Sequence, residues 1–128
     1  MVRRTETHVA ESNAPVGQMG QLYLAAGERV GLRLWDEEPT KSRKPVSARE
    51  YETVGYVLEG RAILVLEDKS VELKPGDSWL VPAGAEHTYE IVEHFRSVEA
   101  TSPPARQGGL DSTDRLGGRQ FGPDDVMA

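Results

Sequence analysis

Lys74-Pro75-Gly76-Asp77-Ser78-Trp79-Leu80-Val81-Pro82-Ala83-Gly84-Ala85-Glu86-His87-Thr88-Tyr89 reads as turn, strand, turn, strand. Pro75-Gly76-Asp77 makes the first turn, because proline presets φ and glycine tolerates φ > 0. Ser78 to Val81 is an apolar run of strand length. Pro82-Ala83-Gly84 makes the second turn. His87-Thr88-Tyr89-Glu90-Ile91-Val92 is rich in β-branched and aromatic residues and reads as the next strand. His87 therefore opens a strand just past a tight turn, a place where a rigid scaffold aims ligating or reactive side chains.

Outward from this stretch the pattern repeats. Val71 to Leu73 leads into it, behind a hairpin loop at Glu67-Asp68-Lys69-Ser70. Ala62 to Leu66 is apolar on both faces, which predicts a strand covered on both. Glu59-Gly60-Arg61 turns the chain out of Val54 to Leu58. Asp36 to Pro45 is a charged loop with two prolines. Arg29 to Trp35 alternates, with Val30, Leu32 and Leu34 on one face and Gly31, Arg33 and Trp35 on the other. Gln21 to Ala25 is the first strand. On the far side, Glu93-His94 is a turn that leaves His94 at the surface, and Phe95 to Ala100 closes the sheet. About eight short strands at turn-punctuated spacing describe an all-β barrel or sandwich. Residues 1–20 form a polar arm, 21–101 the barrel, and 102–128 a tail rich in Gly and Pro.

Composition narrows the function classes. One domain accounts for 128 residues. The absence of cysteine removes disulfides and thiolate metal sites. A net charge of −6 argues against binding nucleic-acid phosphates. Apolar runs of about five residues, as at Ala62 to Leu66, fall well short of a membrane span. Met-Val-Arg-Arg at the start is followed by no apolar run, so a soluble cytoplasmic protein is the expectation.

The opening stretch resembles the second conserved motif of the cupins, small β-barrel proteins. That motif runs Gly, five residues, Pro, one residue, Gly, two residues, His, three residues, Asn. Gly76, Pro82, Gly84 and His87 fall in place, and Ile91 stands at the Asn position. The resemblance implies a single cupin barrel, that is, a double-stranded β-helix or jelly roll, and makes His87 a candidate metal ligand. It also implies a homodimer, since such proteins often pair through sheet edges.

The first cupin motif supplies the other ligands: His, one residue, His, three or four residues, Glu, six residues, Gly. Tyr56-Val57-Leu58-Glu59-Gly60 resembles its end. Counting back from Gly60 puts the Glu position on Thr53. The His positions fall on Ser47 and Arg49, or on Val46 and Ala48 with the longer spacing. None of these residues is a histidine or a glutamate, so no cofactor is firmly implied. A divalent metal would need His87 joined by Glu52 and Glu50, with a one-residue bulge turning Glu52 inward.

Simple alternation puts Arg49, Tyr51, Thr53, Gly55 and Val57 on one face. An inward Val57 brings Arg49 and Tyr51 to the barrel mouth, with Arg33 and Trp35 joining from the earlier strand. An inward arginine there suits an anionic ligand such as a carboxylate. The reversed face leaves Arg49 solvated. Trp79 reads as a pocket wall or as plain core. Three functions stay open. The first is a binding protein for a small, anionic molecule without a complete metal site, its pocket formed by His87, Arg49, Tyr51, Arg33, Trp35 and Trp79. The second is an enzyme of isomerase, epimerase or dioxygenase type, with His87 as acid or base, alone or with Glu52, Glu50 and a metal; a histidine's titration near neutrality suits proton transfer. The third is a scaffold or interaction protein.

Overall fold

The computed structural model describes residues 7–106. Eight strands follow a single 3-10 turn at Glu11–Asn13: β1 Leu22–Ala26, β2 Gly31–Glu37, β3 Glu52–Glu59, β4 Ala62–Leu66, β5 Lys69–Leu73, β6 Ser78–Val81, β7 His87–Ile91 and β8 Phe95–Ser102. They form a five-stranded sheet in the order β1-β2-β8-β3-β6 and a three-stranded sheet in the order β5-β4-β7. All pairings are antiparallel. The arrangement is the jelly roll that the resemblance implied.

The turns carry the chain reversals where the sequence placed them. Gly76 and Gly84 hold φ of 91° and 83°, which a side chain would strain. The β4–β5 hairpin is tighter than the four-residue loop read from sequence. Only Glu67-Asp68 lie between the strands, and Glu67 takes φ 55° to make the reversal. β4 is also less covered than its composition suggested. Ala62 and Leu64 are buried, while Ile63 and Val65 are half-buried. A three-stranded sheet packed on one side leaves the other side of its central strand to water.

Between the sheets, Trp35, Tyr51, Val57, Leu64, Leu73, Trp79, Val81, Tyr89, Ile91 and Phe95 form the core. Trp79 lies flat against Gly55 of the neighbouring strand; a Cβ at Gly55 would stand 2.4 Å from the indole. The indole N–H donates to the Tyr89 hydroxyl at 3.1 Å, and the two rings meet edge to face. The close approach is why a glycine sits in the middle of a strand.

The larger sheet blurs the usual alternation of apolar inside and polar outside: Trp35, Val57, Trp79, Val81 and Phe95 of the core share its inner face with polar residues. Its inner face carries Arg33, Thr53, Ser97, Glu99 and Thr101, all buried. Its outer face carries Leu32, Val54, Tyr56, Leu58 and Leu80, all exposed by 41% or more. Leu34 shares that outer face yet is 5% exposed. Glu11 binds Arg96 at 2.8 Å, and Arg96 points outward from β8. The N-terminal segment therefore reaches the outer face of the larger sheet. It then adds itself beyond β1 through the bridge Val16–Leu22. Past β8 the packed chain continues to Ala105, which is 3% exposed in the core; residues 107–128 of the 102–128 tail lie outside the described residues.

Candidate functional site

Ser47 is paired with His87 through reciprocal backbone bonds of 2.9 Å. The irregular segment before β3 thus runs beside β7, and its alternation carries on into the strand. Ser47, Arg49, Tyr51 and Thr53 are buried, while Glu50 and Glu52 are exposed. The Arg49 carbonyl accepts from Gly84 N–H at 2.7 Å, which ties it to the turn preceding His87. Between the two spacings the first motif allowed, the inward residues are Ser47 and Arg49; Val46 is 53% exposed.

The positions at which the motifs imply ligands are therefore Ser47, Arg49, Thr53 and His87, at 3%, 3%, 1% and 2% exposure. Among them only His87 is a metal donor. A guanidinium is never a ligand, and its fixed charge repels a cation. Glu52 does not complete the set, because the bulge that would turn it inward lies further along, between Val57 and Glu59. Glu50 and Glu52 face away from the barrel. Among the described residues no three His, Cys, Asp or Glu side chains converge on a metal-holding group. The residues present do not fit a metal of the family type.

His87 Nδ1 lies 3.0 Å from the Ala85 carbonyl. A carbonyl only accepts, so Nδ1 holds a proton, and in the neutral ring Nε2 bears the lone pair. That Nε2 is buried and makes no hydrogen bond. The ring stands edge-on to Tyr89, with centroids 5.8 Å apart. Tyr89 titrates well above a normal phenol, first because it is buried and next because of the Glu99 charge. It is a neutral phenol throughout the physiological range.

Arg49 lies two residues from Ser47, which places its backbone roughly 7 Å along the strand direction from the His87 partner position. Its Nη2 donates to the Met19 thioether at 3.6 Å. Met19 sits in a turn locked by Gln21, which is fully buried. The Gln21 amide accepts from Met19 N–H at 2.9 Å and donates to the Tyr23 hydroxyl at 3.0 Å.

Arg33 and Trp35 are buried as well, knit by a residue that sequence reasoning missed. Glu99 Oε1 accepts from Arg33 Nε at 2.8 Å and from Trp35 Nε1 at 2.9 Å. The Arg33 guanidinium lies 5.2 Å from the ring centroids of both Trp35 and Tyr51. The signal was present: in β8, Glu99 is in phase with Phe95 and Ser97, so an inward Phe95 makes Glu99 inward too. Trp79 belongs to the core cluster beneath this layer.

His94 lies outside the barrel. Its Nε2 meets Asp36 at 2.5 Å and its Nδ1 meets Glu38 at 2.9 Å. Acceptors on both nitrogens favour the imidazolium, and the Asp36 hydrogen bond leads in raising the His94 pKa above 6.5. The raised pKa means that the contribution to stability is complete below the unfolded value and is lost as pH rises through the folded value. His94→Gln is expected to lower Tm at pH 5.5 and to leave it nearly unchanged at pH 9, with the gap shrinking in high salt. A Tm difference that grows with pH would contradict this.

Comparison with known proteins agrees with the geometry. The family description "Cupin domain" matches residues 34–99. An uncharacterized protein of Streptomyces coelicolor is 32% identical over 96 residues, covering 74% of this chain and 89% of its own. Among solved structures, an RmlC-like cupin from Shewanella frigidimarina superposes with TM-score 0.68 at 20% identity, over 80% of this chain and 94% of that one. KdgF from Halomonas sp. gives TM-score 0.60 at 20% identity, over 65% and 78%. The structural likenesses are distant and speak for the fold. The motif at Gly76 to His87, the two-sheet jelly roll and the family match lead to one assignment: the chain belongs to the cupin family.

Proposed function

We propose that this cupin binds a small hydroxy- or amino-substituted carboxylate inside its barrel, using Arg49 and His87 and no resident metal. The observation that carries the reading is the buried Nε2 of His87, a lone pair with no hydrogen bond in a barrel that also buries Arg49. A buried polar atom without a partner costs free energy, and a ligand donor relieves it. The lone pair calls for an O–H or N–H; the guanidinium calls for a carboxylate, which it meets through a forked, charge-assisted contact. A metal at the same place would sit against the Arg49 charge.

A thermal-shift panel of small hydroxy acids, amino acids and their unsubstituted carboxylate analogues tests this. Ligand at about 100 times its Kd adds roughly 2.7 kcal/mol of stability, which for a domain of this size raises Tm by several degrees. Arg49→Met is expected to abolish the shift for every carboxylate. His87→Phe is expected to erase the preference for substituted over unsubstituted acids. A shift that survives Arg49→Met, or zinc, iron, manganese or nickel stabilising the protein more than any acid does, overturns the reading.

A further inference from the structure

Arg49 and His87 are 3% and 2% exposed, so an acid reaches them only if some part of the protein gives way. Two segments cover this end of the barrel. One is the turn after β8. Its Ala105 N–H donates to Thr101 Oγ1 at 2.7 Å, and Thr101 is the strand partner of Thr53. Pro104 Cβ stands 3.1 Å from the place that a Cβ on Gly31 would take. Moving this cover means moving packed backbone. The other cover is a hairpin tip. Val16 bridges Leu22, Gly17 N–H donates to the Gln21 carbonyl at 2.7 Å, and Tyr23 N–H donates to the Pro15 carbonyl at 2.9 Å. Gln21 fills the inside of this hairpin, since a Cβ on Gly17 would stand 2.5 Å from its amide carbon. Gln18 and Gly20 at the tip are exposed. What reaches inward from the tip is one flexible side chain, Met19, which packs on the core and puts Sδ 3.6 Å from Arg49 Nη2.

We propose that Met19 is the gate of the site: its thioether holds the carboxylate's place on Arg49 and turns aside when an acid binds. The proposal rests on the carboxylate reading above. A thioether is only a weak acceptor. A carboxylate makes charge-assisted hydrogen bonds roughly twice as strong as neutral ones, so it displaces the sulfur from the guanidinium. Methionine is unbranched and turns easily about its side-chain bonds. The gate therefore opens by side-chain rotation, while the hairpin stays closed on Gln21. Acid and sulfur compete for the same donor. The apparent Kd of an acid is then its intrinsic value divided by the fraction of molecules in which Met19 is turned away. Met19 thus sets the affinity of the site while Arg49 and His87 set what it recognises.

A carboxylate tethered at position 19 tests the placement without any added acid. The carboxyl carbon of a glutamate falls where methionine has Sδ, which brings an oxygen within about 2.9 Å of Nη2. Met19→Glu is expected to raise Tm by several degrees over Met19→Gln, and the gain is expected to vanish when both are built on Arg49→Met. Calorimetric titration of the full-length protein with lactate, malate and glycine then reads the gate. Met19→Ala is expected to tighten the Kd of each acid that binds by about tenfold, the figure for a gate open in roughly one molecule in ten. Met19→Glu is expected to abolish binding. A Tm gain that persists on Arg49→Met overturns the proposal, because position 19 then does not reach the guanidinium. An acid that binds Met19→Ala no more tightly than the wild type overturns the gate and leaves the carboxylate reading standing. If no acid of the thermal-shift panel binds either protein, the carboxylate reading falls and the gate falls with it.

Discussion

Gly60→Ala is expected to remove most of the stability of this protein. Gly60 turns the chain from β3 to β4 at φ 84°. A Cβ built there would lie 1.8 Å from the His94 carbonyl oxygen and 3.0 Å from the Phe95 Cα. Both obstacles are backbone, so no side-chain rotation relieves them. The nearest escape moves the start of β8, and β8 is the strand between β2 and β3 in the larger sheet. Phe95, at 2% exposure, would be dragged from the core. Steric overlap and left-handed strain add, and a loss of about 4 kcal/mol or more is expected, out of a typical total of about 5–15. Gly76→Ala is the control. Its φ is 91°, but nothing lies within 4 Å of its missing Cβ, so only the left-handed penalty of about 1–2 kcal/mol applies. Urea unfolding of the two variants side by side measures the difference. Equal losses would mean that the contact with His94 is not as close as described.

The second large effect lies in the barrel. Glu99→Ala removes the carboxylate that Arg33 and Trp35 share and leaves a guanidinium at 1% exposure without it. Breaking one half of a buried pair typically costs about 3–5 kcal/mol, whereas replacing both halves with apolar groups is often neutral or better. Arg33→Met/Glu99→Leu is accordingly expected to be more stable than Glu99→Ala alone, and a double-mutant cycle should return a large coupling. Additive losses would contradict the pairing. If the double variant also keeps the carboxylate-induced Tm shift, Arg33 and Glu99 support the pocket wall and Arg49 makes the ligand contact.

Much of the architecture was legible because turns announce themselves. The segments bounded by Pro75-Gly76, Pro82-Gly84 and Gly60 became strands within a residue or two of their expected limits. Burial was legible where alternation is strict, as from Arg49 to Val57, and this brought Arg49 and Tyr51 inward as one of the two open faces required. Glu52 misled because a bulge cannot be located from sequence; the actual one falls between Val57 and Glu59. Glu99 was passed over because a charged residue in a terminal strand reads as solvated until its partner on another strand is known, and Arg33 is 66 positions away. The burial of Leu34 was not legible either, because Val30 and Leu32 in the same phase of the strand pattern are exposed.

The mixed polarity of the larger sheet has a consequence for how the chain finds its structure. In most sheets, hydrophobicity alone rejects a strand that has slipped by one residue. Here a one-residue slip of β3 and β8 would carry Val54, Tyr56, Val98 and Ala100 into the interior in place of Thr53, Ser97, Glu99 and Thr101, while exposing Val57 and Phe95 and burying Glu52 and Arg96. Hydrophobicity alone separates the two registers only weakly. The native alignment is chosen by a few local stops: the reversal at Gly60, the indole of Trp79 seated on Gly55, and Glu99 held between Arg33 and Trp35. Local and global preferences conflict along the two central strands, which is frustration in the energy-landscape sense. A chain that keeps polar groups inside the barrel accepts a nearby misfolded rival in exchange, and the stops that exclude it are the residues whose loss should slow refolding most.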